Sequence, residues 1–484
     1  MHERPPGRAA PEPAGLARDR YLGLGTTDTA LALELYEGVA SLPIVSPHGH
    51  VDAAIFVEPK ARLDPPGRLF VSSDHYVTRM LYSQGLPLER LGLEPRDERA
   101  KQVEDRAIWQ ALCDNIHLFR GTPSGLWLRE TLAGVFGVEE RIGPDSAQRL
   151  YDRLEERLAS PEFSPRALFE RFGIETLATT DPPFSRLESH DRLAGEGWYG
   201  RIRPTFRPDA IVELRSPGWR QAIAKLEQAS GREVGDYEGL IAALEQRRAA
   251  FRELGATASD HAATTAEVER LGSREAASIF RSALEGSVSE AEARRFAAHM
   301  LSEFAGMSAE DGLVMQLRVG SLRDHNTPLA ARFGNDIGAD IPIATDWTRG
   351  LRPLLGEHGN DASFRLILST LDESTYSREL APLAGHYPAL RLASPWWFHD
   401  SPEGIRRYLE RVTETAGIYN LAGFVDDAHV LPTIPARHDL WRRVTCGWLA
   451  GRVRAGLIEE SEAPELARQL AYGLARSAFR LESL

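Results

Sequence analysis

Short apolar runs that give way to polar side chains recur along the chain: "LPIVSPHGH", "TLATTDPP", "RIRPTFRPD", "LVMQLRVGSLRDHN", "FRLILST", "LRLASPWWF" and "LAGFVDDAH". Between them lie longer stretches whose apolar residues return every three or four positions, such as "SPEGIRRYLERVTETAG" and "ARHDLWRRVTCGWLAGRVRAG". The first pattern predicts strands and the second amphipathic helices. Their alternation predicts a parallel sheet. The unit repeats about seven times, and an α/β barrel is expected. Its chemistry should sit where apolar runs end in His, Asp and Arg, because barrel sites form at the C-terminal ends of strands. An open doubly wound sheet is the competing architecture, but no G-x-G-x-x-G follows the first strand.

Two stretches do not fit a bare barrel. Residues from about 85 to 170 and from about 217 to 310 are helix-rich and read as insertions that pack on the barrel and wall its site. Residues 1–20, "MHERPPGRAAPEPAGLARDR", read as a loose arm without the apolar core of a signal peptide. Residues 21–484 then form the barrel with its insertions.

Fifty-seven basic against 70 acidic side chains give a net charge of -13, which disfavours nucleic acid as a partner. A small anion in one basic pocket is still compatible. No run reaches the roughly 18 apolar residues a membrane span needs. Two cysteines are too few for a disulfide framework or a zinc motif, and the expected location is the reducing cytoplasm.

Candidate chemistry follows from the strand ends. "PIVSPHGHVDA" opens as a strand at Leu42 to Val45, and strand alternation points His48 and His50 the same way. Two neutral imidazoles make half of a divalent metal site. In isolation, H-x-H is as readily a pair of solvated or core histidines. A third ligand is offered by "GFVDDAHV", with Asp426, Asp427 and His429, because a closed barrel sets its last strand beside its first. The alternative is a helix cap or a solvated loop carboxylate.

"SSDHYVTRM" brings His75, Tyr76 and Arg79 within five residues, a combination able to move protons and clamp an anion, or else a turn before a helix. Arg207 in "PTFRPD" could grip a carboxylate with its fork, or pair with Asp209. Of the adjacent Trp396 and Trp397, one reads as core and the other as a pocket wall against a sugar face, with core packing of both as the plain alternative.

The ordered set "HGH", "DHYVTRM", "TTDPP", "PTFRPD", "ASDH", "MQLRVGSLRDHNT", "SPWWFHD" and "RHDLWRRV" resembles the uronate (glucuronate) isomerase family of the amidohydrolase superfamily, from about residue 20 to the C-terminus. The resemblance implies a distorted (β/α)8 barrel with one divalent metal ion, often zinc. It implies interconversion of an aldohexuronate and a ketohexuronate. Carried over, His48, His50 and Asp427 are the metal ligands, and His75, Tyr76 and Arg207 face the substrate, with Arg318, Arg79, Trp397 and His429 as further substrate contacts.

Three positions depart from the family's usual pattern. Arg318 stands where "QLHIGALRNNNT" has its histidine, His429 where "TDSR" has its arginine, and "TTDPP" keeps Asp181 but loses the next acid. The Arg/His exchange either preserves the pocket's inventory or marks another substrate. A lactone or amide hydrolase, a decarboxylase and a non-catalytic binder of acidic sugars are the competing readings. Assembly into a homo-oligomer is left open.

Overall fold

A computed structural model describes residues 15–24, 26–96, 103–396 and 399–481. Seven parallel strands form two ladders: β1 (Ile44–Ser46), β2 (Ile174–Ala178) and β3 (Ile202–Arg203), then β4 (Ala258–Ala263), β5 (Val314–Val319), β6 (Leu366–Thr370) and β7 (Leu390–Leu392). Single bridges join the ladders into a ring. Phe206 pairs with Ser259 between β3 and β4, and residues 421–428 supply an eighth stave through Leu392 to Leu421 and Gly49 to Ala428. The result is the distorted (β/α)8 barrel expected from the sequence.

Two strand expectations need correction. "LAGFVDDAH" forms no strand, because Gly423 (φ 71°) and Asp427 (φ 48°) are both left-handed, a conformation no extended ladder accommodates. His48 and His50 lie beyond β1, which ends at Ser46. There the chain is held by the Gly49 bridge and by the His50 N–H donating to the Ala428 carbonyl at 2.8 Å.

Every residue of β5 and β6 is buried, as befits strands covered on both faces. Val45, Ala258, Val314, Ile367, Ala393 and Ala422 belong to one buried apolar layer. Further along the same strands the interior turns polar, with Asp260, Arg318 and Asp427 all buried. That switch from an apolar floor to charged groups is what makes the C-terminal end of the barrel a site.

Helices Asp105–Asp114, Pro123–Gly134, Ala147–Ala159 and Pro165–Arg171 fill the first helix-rich stretch, between β1 and β2. The second is divided by β4, so Trp219–Ser230 and Tyr237–Glu253 lead into that strand while Ser273–Glu285 and Glu290–Asp311 lead out of it. At the end of the N-terminal arm, Arg20 bonds Glu130 at 3.2 Å and also Asp439. No helix among the described residues is long and apolar enough to cross a membrane.

Candidate active site

His48 Nε2 and His50 Nε2 each lie 3.1 Å from Asp427 Oδ1, and the two rings meet edge to face at 5.3 Å. The ligand-capable atoms of the three residues fall within 4.8 Å of one another. Asp427 Oδ2 and His48 Nδ1 are buried without a hydrogen-bond partner among the described residues. Burial alone would raise the Asp427 carboxyl pKa. The Arg318 guanidinium and the two imidazoles outweigh it and hold the group well below the usual carboxylate range. Burial lowers the His50 pKa, leaving a neutral ring. Two imidazoles, an ionised carboxylate and orphaned buried atoms fit a divalent cation with open positions.

The trio opens into a cavity of about 350 Å³, within the usual range for a small-molecule site. His50, His75, Arg207, Arg318, Asp427 and His429 line it, together with Ser72, Ser73, Arg323 and Asp336. The His429 ring stacks obliquely on His50 at 4.6 Å and meets the edge of His75 at 5.1 Å. Burial pushes the His75 pKa down to about 4 and that of His429 to about 3, so both rings are neutral near pH 7.

His75 begins the helix His75–Ser83, whose N-cap Asp74 accepts the Tyr76 N–H. Tyr76 stacks on His75 at 4.5 Å and presents an edge to Trp127 at 6.0 Å, one layer behind the cavity. Arg79 is half-buried under the loop at Gly338, where an added Cβ would come within 2.7 Å of Arg79 Cβ. It packs against that loop and is not among the cavity's lining residues.

The arginines are tied to carboxylates. Arg318 Nη1 lies 3.2 Å from Asp427 Oδ1 and Nη2 3.1 Å from Asp260 Oδ2. Arg207 Nε bonds Asp209 Oδ2 at 2.7 Å, the pairing held open above, and stands 3.6 Å from Asp260. Trp396 is buried, with the Arg318 guanidinium 5.2 Å from its ring centroid, while Trp397 lies outside the described residues.

The sequence model of the glucuronate isomerase family matches residues 18–479. A uronate isomerase of Nostoc punctiforme is 51% identical over 96% of this chain and 98% of its own length. The chain belongs to the glucuronate isomerase family. A uronate isomerase of Rhizorhabdus wittichii is 49% identical over 97% of this chain and 99% of its own. A crystal structure of glucuronate isomerase from Caulobacter crescentus, 43% identical, superposes with a TM-score of 0.94 over 98% of both chains.

Within this isomerase fold, Arg318 on β5 and His429 beyond the eighth stave line the same cavity, so the two exchanged residues share one site. Three features escape a reading of the sequence. Asp260, quoted above only as part of "ASDH", is fully buried and faces both Arg207 and Arg318. Arg323, in "SLRDHN", lines the cavity and bonds Asp340 at 3.1 Å. Asp400, in "WWFHD", pairs with Arg437 at 3.2 Å, and burial raises its pKa to about 7.

Proposed function

We propose that this enzyme interconverts an aldohexuronate and its ketohexuronate, D-glucuronate with D-fructuronate or D-galacturonate with D-tagaturonate. The observation that carries the reading is the convergence of His48, His50 and Asp427 on the wall of a cavity also lined by Arg207 and Arg318. A sugar acid offers a carbonyl, vicinal hydroxyls and a carboxylate, and this cavity has a counterpart for each.

Aldose–ketose isomerisation moves a proton between C2 and C1 through an enediol and a second proton between the two oxygens. Arg207 holds the substrate carboxylate, its guanidinium positive at any working pH. Arg318, placed between Asp427 and Asp260, contributes positive charge beside the reacting end. His75 is neutral and lines the cavity, so its ring can accept a proton. Tyr76, one layer behind the cavity, stacks on His75 and steadies its ring, and burial raises its pKa well above 10 so that its phenol stays protonated. Asp427 stays ionised, and its Oδ2, which has no hydrogen-bond partner among the described residues, can accept a hydroxyl proton. His429 packs on His50 and narrows the cavity on the substrate side. A divalent ion, for which zinc suits the imidazole and carboxylate donors, would be held by His48, His50 and Asp427 and supply Lewis-acid polarisation of the substrate oxygens. A cytoplasmic location accords with Cys113 and Cys446, both buried and unpaired.

The test is to supply metal-replete protein with D-glucuronate and D-galacturonate and follow the ketose, with His50→Ala alongside. Metal-dependent turnover that disappears in His50→Ala is the expected result. Stoichiometric metal with neither uronate turned over would overturn the reading and redirect attention to lactones, amides and other carboxylates.

A further inference from the structure

Behind the cavity, a set of buried charged groups converges on the turn that carries Asp427. Asp426 Oδ1 accepts the Ala428 backbone N–H at 3.1 Å, and its Oδ2 lies 3.0 Å from His438 Nε2. Arg437 Nη1 donates to the Asp426 carbonyl at 2.5 Å and to Asp400 Oδ2 at 3.2 Å. The Arg437 guanidinium also covers the Trp127 ring, 3.7 Å from its centroid. Asp400, Asp426, Arg437 and His438 are all at most 4% exposed, and none lines the cavity.

Buried ion networks are weak grounds for stability, because desolvation offsets much of the attraction. The geometry gives this one another role. The Asp426 carbonyl belongs to the peptide unit before Asp427, and the Ala428 N–H to the unit after it. Arg437 grips the first, and the Asp426 side chain, itself held by His438, grips the second. Fixing both units fixes the φ and ψ of Asp427. That residue is left-handed at φ 48°, a conformation that L-residues seldom adopt. Left to itself, the turn would relax and swing the carboxylate away from His48 and His50. Arg437 further connects the turn, through Trp127 and Tyr76, to the His75 ring at the cavity wall.

We propose that Asp426, Arg437 and His438 are positioning residues that clamp the two peptide units flanking Asp427 and so aim its carboxylate at the two histidines. The inference rests on the reading of His48, His50 and Asp427 as a metal site. Partners that orient a metal ligand are worth ten- to hundredfold in metal affinity.

The experiment titrates metal-stripped protein with Zn²⁺ against a chromophoric chelator and records the visible spectrum of the Co²⁺ form. It compares wild type, Asp426→Asn, His438→Leu, His438→Gln and His50→Ala. Asp426→Asn and His438→Leu should bind Zn²⁺ roughly ten- to hundredfold more weakly, with altered Co²⁺ bands. His438→Gln, whose amide still donates to Asp426, should recover most of the affinity. At saturating metal, kcat should fall while KM for the uronate stays within about twofold. A merely structural role would lower the melting temperature and leave the Co²⁺ spectrum alone. Zn²⁺ affinity and Co²⁺ bands unchanged in Asp426→Asn and His438→Leu, while His50→Ala loses metal, would overturn this inference and leave the site reading intact. Failure of the wild type to bind either metal would overturn both. Should Asp426→Asn not fold, the His438→Leu and His438→Gln pair decides on the same criteria.

Discussion

Arg318 spans two buried carboxylates, with Nη1 3.2 Å from Asp427 and Nη2 3.1 Å from Asp260, and it is itself only 7% exposed. One guanidinium thus bridges two acids contributed by different staves of the barrel. Removing it leaves Asp260 with only the more distant Arg207 and Asp427 with only the two imidazoles, in a medium that solvates charge poorly. Arg318→Met should therefore destabilise the metal-free protein by about 3–5 kcal/mol in urea unfolding. Arg318→Lys should lose less, because a single ammonium restores charge without the two-pronged reach. Equal midpoints for Arg318→Met and wild type would show that the two carboxylates do not depend on Arg318.

Arg207 tests the carboxylate clamp. Arg207→Lys keeps a positive charge but gives up the planar fork, and Asp209 competes for the new ammonium. The expected outcome is a KM for the uronate raised roughly ten- to hundredfold, about 1.4–2.7 kcal/mol of binding, with a smaller change in kcat. Steady-state kinetics on both uronates would read this directly. A selective fall in kcat at constant KM would assign Arg207 to the reaction step instead.

Acid sensitivity can be traced to a histidine away from the trio. His261 on β4 is buried against Phe304 and bonded to Ser259 at 2.9 Å; burial, with Arg248 adding to it, pushes its pKa down to about 3. The unfolded chain takes up a proton at this residue below pH ~6.5, whereas the folded protein does not until near pH 3. Its contribution to stability is full above the unfolded pKa and declines as pH falls from ~6.5 toward 3, by up to ~1.4 kcal/mol per pH unit. His261→Gln, which retains an amide for Ser259, should show a correspondingly shallower loss of stability. Urea midpoints at pH 7.5, 6 and 5 supply the comparison, and parallel pH profiles for the two proteins would rule the assignment out.

Metal should also register as stability. An ion that binds only the folded chain adds about 2.7 kcal/mol when its concentration is 100 times Kd. Stripping with a chelator should lower Tm and abolish turnover, and Zn²⁺ should restore both. His50→Ala should show a Tm indifferent to Zn²⁺. A wild-type Tm insensitive to chelator and to added Zn²⁺ would contradict the proposed site.

The sequence pattern was most legible where strands are apolar. Six of the seven apolar runs are strands β1, β2, β3, β5, β6 and β7. The remaining strand, "ASDHAA", carries no apolar signature, because Ser259, Asp260 and His261 are all buried polar residues, Asp260 facing Arg207 and Arg318 and His261 packing on Phe304. The seventh run failed as a strand for a related reason: the left-handed turn that aims Asp427 interrupts the extended chain. His48, His50 and Asp427 could be picked out by residue type and by the closure of a barrel. The double engagement of Arg318 could not, since its partners lie 58 residues before it and 109 after it. Such long-range pairing leaves no local trace.

Among the described residues, the barrel's first and last staves meet at a thin join, the pairing of Gly49 with Ala428. His48 and His50 stand on one lip of that join and Asp427 on the other. An ion gripped by all three would work as a rivet through overlapping plates, so the act of completing the catalytic centre is also the act of locking the ring. Any loosening of this seam, by heat, denaturant or a substitution far away, would reach the chemistry before it reached the apolar floor below.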